Sequence, residues 1–184
     1  FFNKKGSMVK FRINNSKFKY EHVYLLYKSS DSFTVICNEK NIIPSILRDF
    51  SAPVNLETDL SNDEYIHILK FDNDSFNKWD AAQNLYINSY LKKFNLDIFI
   101  KTLRELILKE NIDYSLIAHL LELPSRTIFE NLSNNSDPIL IFKRKKDLMI
   151  TISLELKEVM ETTVLKLFNS SIQDNKNLGE RSLL

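Results

Sequence analysis

The chain has almost no glycine: Gly6 and Gly179 are the only two in 184 residues. That excludes the glycine-rich loops that wrap phosphate groups with backbone N–H donors. Cysteine is scarcer still. Cys37 stands alone, so neither a disulfide framework nor a Cys-based zinc finger can be built. The three histidines, His22, His67 and His119, are each isolated, without the i, i+4 partner that a helical metal site needs. No apolar run approaches the roughly 18–20 residues that cross a bilayer, and the opening residues carry no secretory signal pattern. Neither charge sign is in excess. Lys and Arg total 25 against 24 Asp and Glu, a net charge of +1, which argues against a strongly basic nucleic-acid binder or an acidic tail. What is present is material for a core: 43% of residues are hydrophobic and 27% charged, the balance of a folded chain of one domain or two small ones.

The period of the hydrophobic pattern changes partway along. Residues 1–58 read as strands of an antiparallel β-sandwich. Ser7-Met8-Val9-Lys10-Phe11-Arg12-Ile13 alternates imperfectly, and Asn14-Asn15-Ser16 marks a turn. Phe18, Tyr20, His22 and Tyr24 then fall on every second residue, and Val23-Tyr24-Leu25-Leu26-Tyr27 is a β-rich run. Ser29-Ser30-Asp31 is the next turn, and Phe33-Thr34-Val35-Ile36-Cys37 a further strand. Pro44 and Pro53 fit strand ends or edges, where no ladder N–H is required.

From residue 59 the spacing becomes helical. Ser61-Asn62-Asp63-Glu64 is a capping box, predicting a helix to Lys70 or Phe71. Asp72-Asn73-Asp74-Ser75 breaks it and caps a second, over residues 76 to 93, with Phe76, Trp79, Gln83, Tyr86 and Tyr90 on one face. A third spans 96 to 109, with Leu103, Leu106 and Ile107 inward. Asp113 caps a short fourth, 114 to 121, and Pro124-Ser125 opens a fifth through Leu132. Asp137-Pro138 is a strong helix start, because Asp accepts from the first turn and Pro at N1 forgoes an N–H that had no partner. The helix that follows runs to about Phe168, with Ile139, Phe142, Met149, Ile152, Leu156, Val159, Thr163 and Leu167 as its packing stripe. Short loops predict antiparallel hairpins, stacked like an α-solenoid or superhelix. The fold class expected is therefore α+β: antiparallel sandwich strands, then an α-helical superhelix over residues 59–184. The ends, Phe1-Phe2 without an initiating Met and Ser182-Leu183-Leu184 within an amphipathic segment, read as cuts in a longer chain. An apolar face near Leu183-Leu184 is expected to favour self-association.

Chemistry-bearing patterns are missing. His-Glu-x-x-His, Gly-x-Ser-x-Gly and paired cysteines do not occur. Asp72-Asn73-Asp74 opens like a calcium loop, but Asn77 stands at the glycine position and Gln83 at the twelfth, so a helix break with an N-cap accounts for these aspartates better. The histidines read as structural residues and Cys37 as a buried small hydrophobe. Lys143-Arg144-Lys145-Lys146 is the one charge run. Without interleaved aromatics it reads as a solvated helix face rather than a phosphate-binding patch.

At Ile43-Pro44-Ser45-Ile46-Leu47-Arg48-Asp49-Phe50-Ser51-Ala52-Pro53-Val54 the chain resembles the segment closing the third domain of bacterial-type aminopeptidase N, the alanyl aminopeptidases of the gluzincin zinc metallopeptidases. Phe76-Asn77-Lys78-Trp79-Asp80-Ala81-Ala82-Gln83-Asn84-Leu85 is similar to that family's Phe-x-Arg-Trp-Asp/Glu-Ala-x-Gln-x-Leu helix. Ile112-Asp113-Tyr114-Ser115-Leu116, Leu121-Glu122-Leu123-Pro124-Ser125, Asp137-Pro138-Ile139 and Gly179-Glu180-Arg181-Ser182-Leu183 follow in the family's order. Asp49 stands where glycine is common in the family, and Tyr114 where proline is.

The resemblance implies a non-catalytic C-terminal part of an enzyme that removes N-terminal residues from peptides. Residues 1–58 would end an Ig-like sandwich and residues 59–184 would open the helical C-terminal domain. The family's zinc activates water beside a glutamate base, in a domain upstream of these residues. No catalytic, cofactor-binding or metal-binding residue therefore carries over to this chain, and zinc belongs to the parent enzyme. The implied partners are the upstream catalytic and β-saddle domains of the same polypeptide and a peptide enclosed by the parent, with no nucleic acid and no membrane; the implied compartment is the cytoplasm. Trp79 and Phe76 would be core residues, Trp79→Ala costing roughly 3–5 kcal/mol. A free-standing sandwich-plus-helix adaptor that binds protein is the alternative.

Overall fold

The computed structural model describes residues 1–109, 113–132 and 137–170, without the side chains of 169 and 170. Ile112, the motif Gly179–Leu183 and the apolar end Leu183-Leu184 lie outside the described residues. Two short strands, β1 (Phe11–Ile13) and β2 (Val35–Cys37), pair antiparallel with Phe11 opposite Cys37 and Ile13 opposite Val35. Single bridges join Phe2 to Met8 and to Ile43, and Phe11 to Lys19. Phe2, Val9, Phe11 and Ile43 are buried, and the Phe1 and Phe11 rings meet edge to face at 4.6 Å.

The fold class follows the sequence expectation, but the strands are fewer and shorter. The alternation from Phe18 to Tyr24 and the run from Val23 to Tyr27 form no strand. Val23 and Tyr27 are 88% and 85% exposed. β-propensity expresses how well a residue fits a pleated, half-buried surface, and among the described residues no strand edge pairs with this run. A small hairpin is correspondingly weak by itself.

Six helices follow among the described residues: α1 (Asn62–Phe71), α2 (Ser75–Tyr90), α3 (Leu96–Ile107), α4 (Tyr114–Leu121), α5 (Arg126–Asn131) and α6 (Pro138–Ser170). Their starts obey local chemistry. The Ser61 hydroxyl accepts from the Glu64 N–H while Glu64 Oε2 accepts from the Ser61 N–H, completing the capping box. Asp74, Asn95 and Asp113 accept from first-turn amides of α2, α3 and α4, and Asp137 accepts from the Ile139 N–H in α6. α2 ends three residues short of expectation, and Lys92 beyond it turns left-handed at φ 58°.

The main core lies between α1, α2, α3, α4 and α6, built on Leu69, Leu85, Tyr86, Phe99, Leu103, Leu120 and Leu156. Tyr86 Oη donates to the Leu120 carbonyl and Gln83 Nε2 to that of Glu122, both at 2.9 Å. These bonds satisfy carbonyls at the end of α4 that have no helical partner. A smaller cluster of Tyr90, Phe129 and Ile141 joins α2, α5 and α6.

Two faces depart from expectation in their first turns. On α2 the expected Gln83, Tyr86 and Tyr90 are buried, together with Asn77, Ala81, Ala82 and Leu85, whereas Phe76 and Trp79, expected in the core, are half-buried. On α6 the seam runs through Ile141, Lys145, Leu148, Ile152, Leu156, Val159, Thr163 and Leu167, while Ile139, Phe142 and Met149 are exposed. Lys145 holds the seam position that lacks an apolar residue. Its stem lies half-buried and its Nζ donates to the Pro124 carbonyl at 2.8 Å. Counting apolar residues alone therefore displaced the stripe in the first two turns.

The amino-terminal loop packs on α1 at Gly6, whose φ of +82° and approach to Phe71 leave no space for a Cβ: it would lie 2.2 Å from the ring. Beside Phe71 sits His67, the rings 4.7 Å apart. Among the described residues neither ring nitrogen makes a hydrogen bond of normal geometry. Desolvation lowers its pKa, partly offset by the nearby backbone of Asn3 and Lys4 and by Glu64. A depressed histidine leaves stability intact above its unfolded pKa of about 6.5 and erodes it as pH falls, because the unfolded chain takes up the proton first.

Two outcomes are expected. Phe99→Ala should cost about 3–5 kcal/mol in urea unfolding, and Trp79→Ala less than half as much, since Trp79 is only half-buried; equal losses would contradict this packing. His67→Leu should flatten the fall in stability below pH 6.5, and an unchanged slope would show that the ring stays unburdened by its site.

Candidate functional site

The residues that join the β-unit to the helices converge on Arg48. Its Nε pairs with Glu21 Oε1 at 3.0 Å, and its Nη1 donates to Ser45 Oγ at 2.9 Å and to Asp72 Oδ1 at 3.0 Å. Its Nη2 donates to Asn73 Oδ1 at 2.6 Å. One planar guanidinium thus holds the β-unit, the segment that leaves it, and the corner between α1 and α2. Lysine could not serve these partners, having a single nitrogen. The Asp72 side chain is fully buried, and its Oδ2 has no partner among the described residues.

Asp74 tightens the same corner. Its Oδ1 accepts from the Asn77 N–H at 2.8 Å, its Oδ2 from the Asp49 N–H at 2.9 Å. Asn77 Nδ2 donates to Ser45 Oγ at 2.8 Å. These bonds hold backbone that local preference opposes. Leu47, Asp49 and Phe50 have φ of 55°, 54° and 51°, and each left-handed residue with a side chain costs about 1–2 kcal/mol. Glycine would suit position 49, so the side chain there adds strain that the Asp74 contact offsets. The Asp72-Asn73-Asp74 run is thus a helix break with a cap, as its sequence indicates.

Residues 44–60, with Arg48 among them, run past α1 and the amino-terminal half of α2 as a strap. Beneath it lies a cavity of about 490 Å³, lined by Leu47, Phe50, Val54, Leu56, Glu57, Phe76, Asn77, Asp80 and Asn84 among others. Asn77, Asp80 and Asn84 fall at i, i+3 and i+7 on α2, one polar stripe on a helix face that meets protein. Asn84 Nδ2 donates to Asp80 Oδ2 at 3.2 Å, and burial raises the Asp80 pKa. A second depression, of about 340 Å³, lies between the start of α2 and α4, lined by Phe76, Trp79, Leu116 and His119.

The other residues singled out in the sequence are dispersed. His22 Nε2 lies 2.9 Å from the Phe11 carbonyl, His119 is exposed beside Glu122, and Cys37 is half-buried in β2 rather than fully buried. In the run from Lys143 to Lys146, Lys145 is engaged with Pro124 and the Arg144 guanidinium lies 5.8 Å from the Tyr90 ring centre, so the run is only partly a solvated face. Among the described residues no group of three or more His, Cys, Asp and Glu is arranged to hold a metal ion; the zinc that the resemblance implies finds no fitting ligand set there. No described helix is long and apolar enough to cross a membrane. Sequence reading missed Arg48 and Asp80 as focal residues. The signal available for Asp80 was the polar stripe on an otherwise inward helix.

Arg48→Met should cost about 3–5 kcal/mol, because it strands the buried Asp72 carboxylate. Adding Asp72→Asn should recover part of that loss in a double-mutant cycle of denaturation midpoints. Additive losses would show that the two side chains do not act together.

Aminopeptidase N of Escherichia coli K12 is 29% identical over 157 residues, covering 77% of this chain and 18% of that protein. Aminopeptidase N of Haemophilus influenzae is 48% identical over 44 residues, covering 24% of this chain and 5% of that protein. The chain thus spans under a fifth of the length of these relatives. The crystal structure of Legionella pneumophila aminopeptidase A in complex with aspartic acid superposes with a TM-score of 0.68 over 95% of this chain and 22% of that one, at 18% identity, a likeness of fold. Residues 62–184 match the family described as "Domain of unknown function (DUF3458_C) ARM repeats", and the chain belongs to that family.

Proposed function

We propose that this chain is a non-catalytic segment of an aminopeptidase, in which residues 1–58 close a β-sandwich and residues 59–184 open a helical superhelix. The parent removes N-terminal residues from peptides with a zinc centre carried by another part of the polypeptide. This segment scaffolds that centre and helps to enclose the chamber where the peptide lies. The observation that carries the reading is the aligned similarity to aminopeptidase N across 77% of the chain. The geometry supports it: a fixed junction at Arg48 suits a scaffold, because orienting a substrate depends on walls that do not yield.

The partners in this reading are the upstream catalytic and β-saddle domains and the enclosed peptide. The exposed run from Val23 to Tyr27 supports a neighbouring layer over the β-unit. Nucleic acid and membrane have no part in it, in keeping with the internal engagement of Arg144 and Lys145. The compartment proposed is the cytoplasm, consistent with a free cysteine at Cys37.

The test is a graft. Replacing the aligned segment of the Escherichia coli relative with this chain should preserve release of the chromophore from an alanyl-anilide reporter, whereas the 184 residues alone should release none and retain no stoichiometric zinc after dialysis. Turnover with retained metal by the isolated chain, or an inactive but folded graft, would overturn the assignment.

A further inference from the structure

The cavity under the strap has a charge pattern that the scaffold role does not use. Its two ionisable carboxyls, Asp80 and Glu57, are of one sign, and no lysine, arginine or histidine is among the described residues lining it. Asp80 is half-buried. Its described hydrogen-bond partner is the neutral amide of Asn84, and no described cation pairs with it. A carboxylate removed from water without a counter-charge carries a desolvation cost, in keeping with the upward shift of its pKa. The walls are part polar and part apolar, and on the apolar side the Phe50 and Phe76 rings lie 5.1 Å apart. About 490 Å³ falls within the range of small-molecule sites.

We propose that this cavity binds a small organic cation, a primary ammonium carrying an apolar arm, with Asp80 as its counter-charge. The ammonium supplies the charge and the donors that Asp80 lacks, leaving Asn84 to hold the carboxylate in place. The arm lies against Phe50 and Phe76, where a cation is also favoured over ring faces. Glu57 on the strap supplies a second negative charge to the cavity. Neutral molecules of the same shape gain the apolar contact but leave the carboxylate uncompensated, and anions are repelled. The second depression, at Trp79 and His119, is also lined by a carboxylate, Asp113, but its Oδ1 is engaged in capping α4 through the Leu116 N–H.

The experiment is a titration of the intact 184-residue chain with phenethylammonium chloride, followed by calorimetry and by the side-chain amide resonances of Asn77 and Asn84. Saturable binding in the millimolar range or tighter is expected, with 2-phenylethanol, its uncharged counterpart, at least tenfold weaker. Asp80→Asn, nearly isosteric, should weaken the ammonium at least tenfold and leave the alcohol unchanged. Glu57→Gln should weaken it by a smaller factor. A parallel arm with N-acetyl-lysine methylamide distinguishes sources: binding of the free amine alone assigns a small metabolite-like amine, and binding of both extends the site to basic side chains of peptides. No saturation by either cation, equal affinity for amine and alcohol, or shifts confined to residues away from the strap would overturn the proposal. The amine-to-alcohol comparison needs no variant, so it decides the matter even if Asp80→Asn does not fold. The outcome is independent of the aminopeptidase reading.

Discussion

The contact between Arg48 and the buried Asp72 carboxylate is the constraint on which the arrangement of this chain depends. The β-unit alone is slight: two three-residue strands and four buried apolar side chains at Phe2, Val9, Phe11 and Ile43. Such a unit gains most of its order by being fastened to something larger. Arg48 does this by reaching Glu21, Ser45, Asp72 and Asn73 with one rigid fork. The left-handed residues at positions 47, 49 and 50 are then held by the same corner, and the strap above the cavity takes its course from them.

Most of the helical architecture was legible in the sequence because helix ends are written locally. Ser61 with Glu64, Asp74, Asp113 and Asp137 each placed a start that the structure repeats. Helix phase was less legible. Lys145 occupies a seam position by burying its stem and sending its charge to Pro124, a role that no apolar count detects. Trp79 and Phe76 read as core because they are large and correctly spaced, yet the first turn of α2 lies at the margin of the packed layer.

The β-half shows the opposite limit. Alternation from Phe18 to Tyr24 encodes a surface ready to be paired, and pairing depends on residues elsewhere. The sequence could state the readiness but not the partner. The candidate site was hidden for a related reason. Arg48 and Asp72, which meet, are 24 positions apart, and Asp80 and Glu57, which line one cavity, are 23 apart, so both placements are products of the fold. The resemblance to aminopeptidase N pointed to the right family while saying nothing of a charge focus under the strap.

The central claim is that the Arg48 corner makes the β-unit and the first two helices a single cooperative unit. Native-state hydrogen exchange on the 184-residue chain tests it most directly. The amides of Phe2, Phe11 and Ile43, each in a backbone hydrogen bond, should open with the same free energy and the same denaturant dependence as the interior amides of α1 and α2. Exchange of those three amides through a separate, low-energy opening, with the helices still protected, would contradict the account.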